Sequence, residues 1–182
     1  ADFKKDKLVV SKGWVAASIY ALNVKYGLLP QEAIDTYCDG KSKYIGLIEP
    51  LGVFGCEIAG GSMQMGLPGA VGLSLAKKLK NEGGLIYCLV SDGELQGGMI
   101  WESALIAAQH KLDNLVVIVD NNGLQAMGKT NEVLNIEPLR DKWLDFGWSV
   151  TKIDGHSFEK IESAIDGEDK SEFRKLSQAP EI

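Results

Sequence analysis

The sequence is poor in cysteine and histidine and contains no paired metal-binding motif. Its 182 residues include three cysteines and two histidines, and no two cysteines stand in a C-x-x-C arrangement. An odd number of isolated cysteines argues against a disulfide framework and against a cysteine-rich zinc site. We therefore predict that Cys38, Cys56 and Cys88 are reduced thiols of a cytoplasmic protein.

Other common functional signals are also missing. No apolar run reaches transmembrane length, and no signal peptide is recognisable. A net charge of −6 and a pI near 5.0 argue against general binding to nucleic acid or to an anionic membrane. No G-x-G-x-x-G sequence follows the first apolar segment and no Walker sequence occurs, which disfavours a nucleotide-binding domain. The length and the 45% hydrophobic content suffice for one domain with a sizeable core.

Residues 91–123 form the stretch around which the chain is organised. The preceding apolar run, residues 85–90, predicts a buried strand, and Asp92-Gly93 predicts a turn. Apolar residues then recur at helical spacing from Met99 to Ala108. Residues 115–119 predict a second buried strand, which ends in the turn sequence D-N-N-G.

Two polar side chains follow these two predicted strands. Asp92 follows the first strand and Asn122 follows the second, thirty residues later. Parallel strands joined by a helical crossover end at the same edge of a sheet, so neighbouring strands would bring the two side chains together. Carboxylate and amide oxygens suit magnesium or calcium rather than zinc, and a nearby helix amino end favours phosphate. The pattern predicts a metal–diphosphate site at the strand ends.

The same residues resemble the transketolase family. Asp92-Gly93-Glu94 followed by Asn122 is similar to its thiamine-diphosphate motif, and the flanking words E-L-Q-G-G-M-I-W-E-S-A and H-K-L-D-N-L-V-V-I-V-D-N-N-G-L-Q resemble transketolases in particular. The resemblance implies a doubly wound, mostly parallel α/β sheet with helices on both faces, which is the thiamine-diphosphate-binding fold. It covers residues 8–165, most of the chain.

The resemblance also implies roles for individual residues. Asp92 and Asn122 would bind Mg²⁺ through their side chains, and Leu124 would bind it through its carbonyl oxygen. Gly93 and Glu94 would contact the cofactor beside them, and Glu102 would lie at a subunit contact near the cofactor. The structural alternative is that Asp92 and Asn122 are only turn residues. No catalytic residue of this chain is identified.

Ser11-Lys12-Gly13-Trp14 resembles a family segment that reads S-K-G-H. The histidine of that segment contacts the cofactor diphosphate, and Trp14 replaces it here. An indole has one donor and no acceptor at its nitrogen. Trp14 either donates to a phosphate as a cofactor-binding residue or fills space with no cofactor role. Residues 46–50 read G-L-I-E-P, so the histidine of the family's Gly-His-Pro sequence is absent as well.

Residues 57–72 resemble the family's glycine-rich loop and the helix after it. Three residues match the family pattern, namely Gly61, Ser62 and Gly66, whereas the middle glycine of the loop is Gln64. We predict that Gly61, Ser62 and Met63 contact the cofactor. Met63 and Met65 either line that space or fill the core, and the second interpretation is favoured.

Periodicity predicts the remaining elements. The helix after Pro68 is expected to bury Val71, Leu75 and Leu79, and the helix from Met99 to bury a face with Trp101 and Leu105. Residues 137–146 predict a short helix and residues 148–153 a third strand. Asp154-Gly155-His156 is expected to open a last helix capped by Ser157.

The chain divides into a thiamine-diphosphate-binding domain, residues 1–165, and a polar tail, residues 166–182. The family supplies a further strand after about Ile165, and whether the chain lacks it stays open. The domain that holds the aminopyrimidine ring and supplies its activating Glu has no counterpart here. The resemblance therefore implies a C-terminal, pyrimidine-binding partner subunit in an α2β2 heterotetramer, and a chain that is inactive alone.

The resemblance implies a transketolase-like transferase that moves a two-carbon ketol or acyl unit to an aldehyde or ketone acceptor, with thiamine diphosphate and Mg²⁺ as cofactors. The donor would be a ketose or, because the family's histidines are missing, a 2-oxo acid. The alternative is a catalytically inactive scaffold in which Trp14 closes the diphosphate site. Binding of thiamine diphosphate by the assembled complex distinguishes the two.

Overall fold

The computed structural model describes residues 4–166; the predicted tail lies, from residue 167 on, outside the described residues. The strands are β1 (Lys7–Val10), β2 (Ile86–Ser91), β3 (Leu115–Asp120), β4 (Leu124–Gln125) and β5 (Gly128–Lys129). The helices are α1 (Ala16–Lys25), α2 (Glu32–Asp35), α3 (Gly66–Lys80), α4 (Gly98–Gln109), α5 (Thr130–Val133), α6 (Leu139–Asp145) and α7 (Phe158–Asp166). Short 3₁₀ turns occupy Gly13–Val15 and Asp92–Gln96.

Three of the strands form a parallel sheet in the order β1-β2-β3. The central strand is in register with both neighbours, since Ile86 pairs with Lys7 on one side and with Leu115 on the other. Strands β4 and β5 form a separate antiparallel hairpin after the sheet. Strands β2 and β3 are therefore neighbours that run the same way, and both end at the same edge.

Alternate residues of the sheet face two different cores. Val9, Cys88 and Val117 belong to the larger core, which lies under α3, α4 and α6. The next residues along the strands, Val10 and Leu89, pack into the smaller core with α1. A strand side chain points to opposite faces in turn, so this division places helices on both faces of the sheet. The predicted parallel α/β fold with two covered faces is confirmed.

The predicted third strand at residues 148–153 is wrong. The segment forms a single bridge at Ser149, and no strand is present there. Trp148 is buried, and its indole N–H donates to the carbonyl oxygen of Ala104 at 3.1 Å. Trp148 and Val150 of this segment pack into the larger core and do not form a strand of the sheet.

The helices follow the predicted order, but two predicted core leucines lie at the surface. Helix α3 includes Pro68 in its first turn, as expected, yet Leu79 near its end is 74% exposed. Leu105 on α4 is 56% exposed, because the buried face of that helix is formed by Ile100, Ser103, Ala104 and Ala107. Within residues 4–166, no helix is long and apolar enough to cross a membrane.

Candidate functional site

The carboxyl edge of the sheet brings the two predicted polar residues together. Ser91 pairs with Asp120 at the last position of β2 and β3. Asp92 follows directly on one strand, and Asn122 follows two residues beyond the other. The expected convergence of the Asp92 and Asn122 segments is therefore confirmed by the strand pairing.

The side chain of Asp92 is fully buried and ties both turns together. Its Oδ1 accepts a hydrogen bond from the Gly93 amide at 2.8 Å. Its Oδ2 accepts from the Gly123 amide at 2.9 Å and from the Thr130 hydroxyl at 2.8 Å. Thr130 is a residue that the sequence analysis missed, since nothing in its local pattern indicates a site. Asp92 is more than a turn residue, because its carboxylate binds the next strand's loop.

The amide group of Asn122 is exposed but oriented. Its Oδ1 accepts a hydrogen bond from the Leu124 amide at 2.8 Å, and its Nδ2 donates to Asp120 Oδ2 at 3.3 Å. The two contacts hold the side chain over the turn that carries Leu124, which is itself exposed. The oxygen of Asn122 and the backbone of Leu124 thus lie in one short turn above Asp92.

A lysine that the sequence analysis did not single out lies beside this turn. Lys12 follows the end of β1 and forms an ion pair with Asp120 Oδ2, the atom that also accepts from Asn122. The Lys12 side chain is mostly buried, with 18% exposed. The S-K-G sequence that contains it was the available signal. The site therefore combines an acidic residue, an amide and a cation at one sheet edge.

The carboxylate of Glu94 joins three segments of the chain. It is buried, and its Oε1 accepts from the Ser11 hydroxyl and from the Gln64 amide. Its Oε2 accepts from both the amide and the hydroxyl of Ser91. Both oxygens are thus engaged within the protein, so Glu94 positions the ends of β1 and β2 and the glycine-rich loop. A direct contact between Glu94 and the cofactor stays a prediction.

Two close backbone contacts hold the glycine-rich loop against the end of β1. A Cβ atom built on Gly13 would lie 2.1 Å from the Gly60 carbonyl oxygen, and one built on Gly66 would lie 2.4 Å from Ser11 Cβ. Only glycine fits at these positions. The loop between Gly60 and Gly66 exposes Gly61, Ser62 and Met63, which are its predicted cofactor contacts.

The surroundings of three predicted sites exclude the space-filling alternative for Trp14 and the core-filling one for the two methionines, while the cofactor contact of Gly93 stays a prediction. Trp14 is 75% exposed, so it fills no space within the described chain. Met63 and Met65 are exposed and are not core filler. The space beside Gly93 is occupied by Gln125, whose Oε1 would lie 3.0 Å from a Cβ built on that glycine. Glycine at this position accommodates Gln125 and not only a ligand.

The donor set fits a hard divalent cation. Asp92 forms no ion pair within residues 4–166, and its buried negative charge is compensated there by neutral hydrogen-bond donors alone. A cation beside it would offset the cost of burying that charge. No cluster of three or more His, Cys, Asp or Glu occurs in the part of the chain that the structure describes. The oxygens of Asp92, Asn122 and Leu124 stay the predicted ligands, and magnesium prefers such oxygen ligands.

The parallel sheet carries Asp92, the Asn122 turn and the glycine-rich loop at one edge, as the resemblance to a thiamine-diphosphate-binding domain implies. Comparison with known proteins agrees, since residues 2–176 match the family described as transketolase, thiamine diphosphate binding domain. The chain belongs to the transketolase family.

Similar proteins include subunits named for particular sugars. The 6-deoxy-6-sulfo-D-fructose transketolase subunit SqwG of Clostridium sp. (strain MSTE9) is 36% identical over 163 residues, or 90% of this chain and 59% of that protein. An apulose-4-phosphate transketolase subunit of Phocaeicola vulgatus is 37% identical over 158 residues, or 87% of this chain and 56% of that protein. The chain thus spans little more than half the length of these relatives.

The fold comparison points to the same family. The structure of transketolase from Campylobacter jejuni superposes with a TM-score of 0.84 at 31% identity, over 97% of this chain and 28% of that one. The match covers a quarter of a full transketolase, which is what a single cofactor-binding domain would give. The parallel sheet with helices on both faces is therefore a family feature.

Proposed function

We propose that this chain is the diphosphate-binding subunit of a transketolase-like transferase that transfers a two-carbon ketol unit from a ketose to an aldehyde acceptor. The observation that carries the proposal is the buried Asp92 carboxylate, which binds the Asn122 turn through the Gly123 amide at 2.9 Å. A buried carboxylate that is not paired with a cation is costly, and a bound metal ion would compensate it. The geometry therefore supports a magnesium–diphosphate site at Asp92 and Asn122 better than a turn that binds no ligand.

In this proposal Asp92, Asn122 and the Leu124 carbonyl hold Mg²⁺ and thereby the diphosphate. Lys12 adds positive charge at the same edge, where its ion pair with Asp120 also fixes the Asn122 amide. The exposed Gly61, Ser62 and Met63 cover the cofactor from the loop. Thiamine diphosphate, when bound, supplies the carbanion chemistry that breaks and forms the C–C bonds. The chain's own residues bind, orient and neutralise the diphosphate end.

The active enzyme is proposed to include a partner subunit in an α2β2 heterotetramer in the cytoplasm. Two relatives carry the word subunit in their names, and no residue of this chain is assigned to the aminopyrimidine ring. Helix α4 presents an exposed stripe that includes Glu102, Leu105 and Ile106. Two large apolar side chains on an exposed helix face indicate a docking surface, and the pyrimidine-binding subunit is its proposed occupant.

The proposed substrates are sugars or sugar derivatives. The relatives are named for a sulfonated deoxysugar and for a sugar phosphate, which are both ketoses. The given sequence has two histidines, His110 and His156, and both are exposed. Trp14 is exposed where the resembling family segment carries a histidine, so we expect a donor or acceptor other than that of ordinary transketolases.

Calorimetric titration of Mg²⁺ and thiamine diphosphate into the complex with its partner subunit tests the site. We expect binding by the wild-type complex and at least about a hundredfold weaker binding for Asp92→Ala, because a metal ligand is lost. Asn122→Ala, at an exposed position, serves as a variant that leaves the core intact and should weaken binding at least about tenfold. Asp113→Ala, at an exposed surface ion pair with Lys78, is the control and should bind normally.

A second candidate, the inactive scaffold, is favoured by one observation. The indole of Trp14 replaces the diphosphate-contacting histidine of the resembling segment and projects from the chain with 75% exposure. A stable complex that binds no thiamine diphosphate, and that gains binding with Trp14→His, would establish the scaffold. Normal binding by the wild-type complex would eliminate it.

A further inference from the structure

Thr130 lies buried at the start of α5, and its hydroxyl donates to Asp92 Oδ2 at 2.8 Å. A hydroxyl withdrawn from water needs a hydrogen-bond partner, and Asp92 supplies it here. Asp92 has three hydrogen-bond donors within residues 4–166, and the other two are the backbone amides of Gly93 and Gly123. The Thr130 hydroxyl is therefore the donor that a side-chain substitution can remove without changing the backbone.

The backbone of Thr130 is fixed independently of this contact. Its amide donates to the Gly123 carbonyl oxygen at 2.9 Å, and the Gly123 amide in turn donates to Asp92 Oδ2 at 2.9 Å. Thr130, Gly123 and Asp92 thus form a closed ring of three hydrogen bonds. The Thr130 carbonyl oxygen also accepts from the Leu134 amide at 3.0 Å and from the Gln96 side chain at 3.4 Å. Loss of the hydroxyl should therefore leave the main chain in place.

The ring makes the two oxygens of Asp92 unequal. Oδ2 accepts from Thr130 and from Gly123, whereas Oδ1 accepts from the Gly93 amide at 2.8 Å. Each oxygen of a carboxylate offers about two acceptor sites. The acceptor sites of Oδ2 are therefore both used, and Oδ1 retains one for a further ligand.

We propose that Thr130 is a positioning residue for Asp92, whose hydroxyl occupies Oδ2 and thereby leaves Oδ1 as the single oxygen that binds the cation. The inference rests on the proposed function. Without the hydroxyl, Oδ2 regains an acceptor site and both oxygens become potential ligands. Mg²⁺ demands near-ideal octahedral geometry, whereas Ca²⁺ accepts carboxylates through one or both oxygens. The hydroxyl therefore favours magnesium over calcium at this sheet edge.

The test measures cation binding by the complex of this chain with its partner subunit, in the presence of thiamine diphosphate. Calorimetric titrations with Mg²⁺ and with Ca²⁺ give a dissociation constant for each cation. Thr130→Val and Thr130→Ala both remove the hydroxyl, the first at nearly equal volume and the second without added bulk, so either can serve if the other does not fold. Thr130→Ser keeps the hydroxyl and is the rescue variant.

Ser74→Ala is the matched control for a loss of stability alone. The buried Ser74 hydroxyl donates to Asn114 Oδ1, and Asn114 directly precedes β3 at the end opposite to the site. The control therefore removes a buried hydroxyl away from the site edge, and urea unfolding compares its stability with that of the Thr130 variants. It should bind both cations like the wild type. Weaker cation binding by Ser74→Ala, in proportion to its lost stability, would reduce the effect of Thr130 to stability and overturn the inference.

We expect the hydroxyl-free variants to bind Mg²⁺ about ten- to a hundredfold more weakly than the wild type. The loss for Ca²⁺ should be smaller, so that the preference for Mg²⁺ over Ca²⁺ falls at least about threefold. Thr130→Ser should stay within about threefold of the wild type for both cations. Unchanged Mg²⁺ binding without the hydroxyl, or an equal loss for both cations, overturns the inference and leaves the proposed function in place. A wild-type complex that binds neither cation with thiamine diphosphate overturns the proposed function, and the inference with it.

Discussion

Asp92 and Glu94 are buried carboxylates close together in the sequence, and they have different roles. Asp92 accepts three hydrogen bonds, one on Oδ1 and two on Oδ2, and one of them comes from the loop after β3. Glu94 receives two hydrogen bonds on each oxygen from Ser11, Gln64 and Ser91. Four hydrogen bonds give Glu94 a positioning role, whereas Asp92 Oδ1, which accepts one hydrogen bond within residues 4–166, retains acceptor capacity for a metal ion.

The role of Glu94 predicts a loss of stability for Glu94→Gln. The amide NH₂ of glutamine would face a backbone or hydroxyl donor where an acceptor is required, and an unpaired buried donor costs about 1–3 kcal/mol. Urea unfolding of the isolated chain, followed by tryptophan fluorescence, measures the change.

Glu132→Gln is the matched control for this measurement. Glu132 forms a surface ion pair with Lys129, with both side chains more than half exposed, so its loss should change stability by less than about 0.5 kcal/mol. Equal unfolding midpoints for Glu94→Gln and for the wild type would show that the network does not hold the three segments.

At the scale of the element, α4 has two faces with separate tasks. Ile100, Ala104 and Ala107 enter the larger core, and the Trp101 indole N–H donates to the Leu95 carbonyl at 2.9 Å, which fastens the helix to the 3₁₀ turn. The opposite face exposes Leu105 and Ile106. The helix thus connects the cofactor edge to a surface that nothing covers within residues 4–166.

Leu105→Glu should abolish the complex and leave the chain folded. The side chain is 56% exposed, so the charge remains hydrated in the free chain but would be buried without a counter-charge at the proposed interface. Circular dichroism should show the wild-type fold, and size-exclusion chromatography with the partner should show two separate subunits.

The control for the interface is Leu79→Glu on α3, where the leucine is 74% exposed but lies outside the α4 stripe. This variant should form the complex with wild-type affinity. If Leu79→Glu abolished the complex and Leu105→Glu did not, the interface would lie on α3 and the assignment to α4 would be wrong.

At the scale of the whole molecule, acidic groups buried in both cores resist ionisation. Burial raises the pKa of Tyr20 to about 12 and that of Cys56 to about 11, and the charges of Cys56 and Glu57 add to the respective shifts. Burial and the nearby Glu94 raise the pKa of the Cys88 thiol on β2 as well. The folded chain therefore keeps these three side chains protonated at pH values at which the unfolded chain has already lost their protons.

Stability should accordingly fall as the pH rises from about 9 towards 12. A raised folded-state pKa means that the unfolded chain binds fewer protons in this window, so the free energy of unfolding decreases with pH. The contribution is fully present below the unfolded-state pKa values, and each unit of pKa shift corresponds to about 1.4 kcal/mol. Urea unfolding curves recorded between pH 8 and 11 measure how steeply the free energy of unfolding falls with pH. Cys56→Ala should make this fall shallower. An unchanged slope would contradict a contribution from the Cys56 thiol.

Much of the site could be predicted because it depends on local sequence. Apolar runs followed by turn residues place Asp92 and Asn122 at strand ends, and parallel strands joined by a helix end at one edge whatever else the chain does. The helix order follows from periodicity in the same way, whereas the glycine-rich loop was identified by its resemblance to the family's loop.

The tertiary structure decided what local patterns do not contain. The hydrogen bonds of Thr130 and Lys12 join residues far apart in sequence, and the residues of 148–153, which read as a strand, are drawn onto α4 by Trp148. Helical periodicity marked Leu79 and Leu105 as apolar, but only packing determines which apolar residues a neighbouring element covers. The sequence by itself thus determined the two central strands, the order of the main helices and the paired polar residues at the sheet edge. The structure decided which side chains position the site and which remain exposed, because burial and long-range hydrogen bonds exist only after the chain has folded.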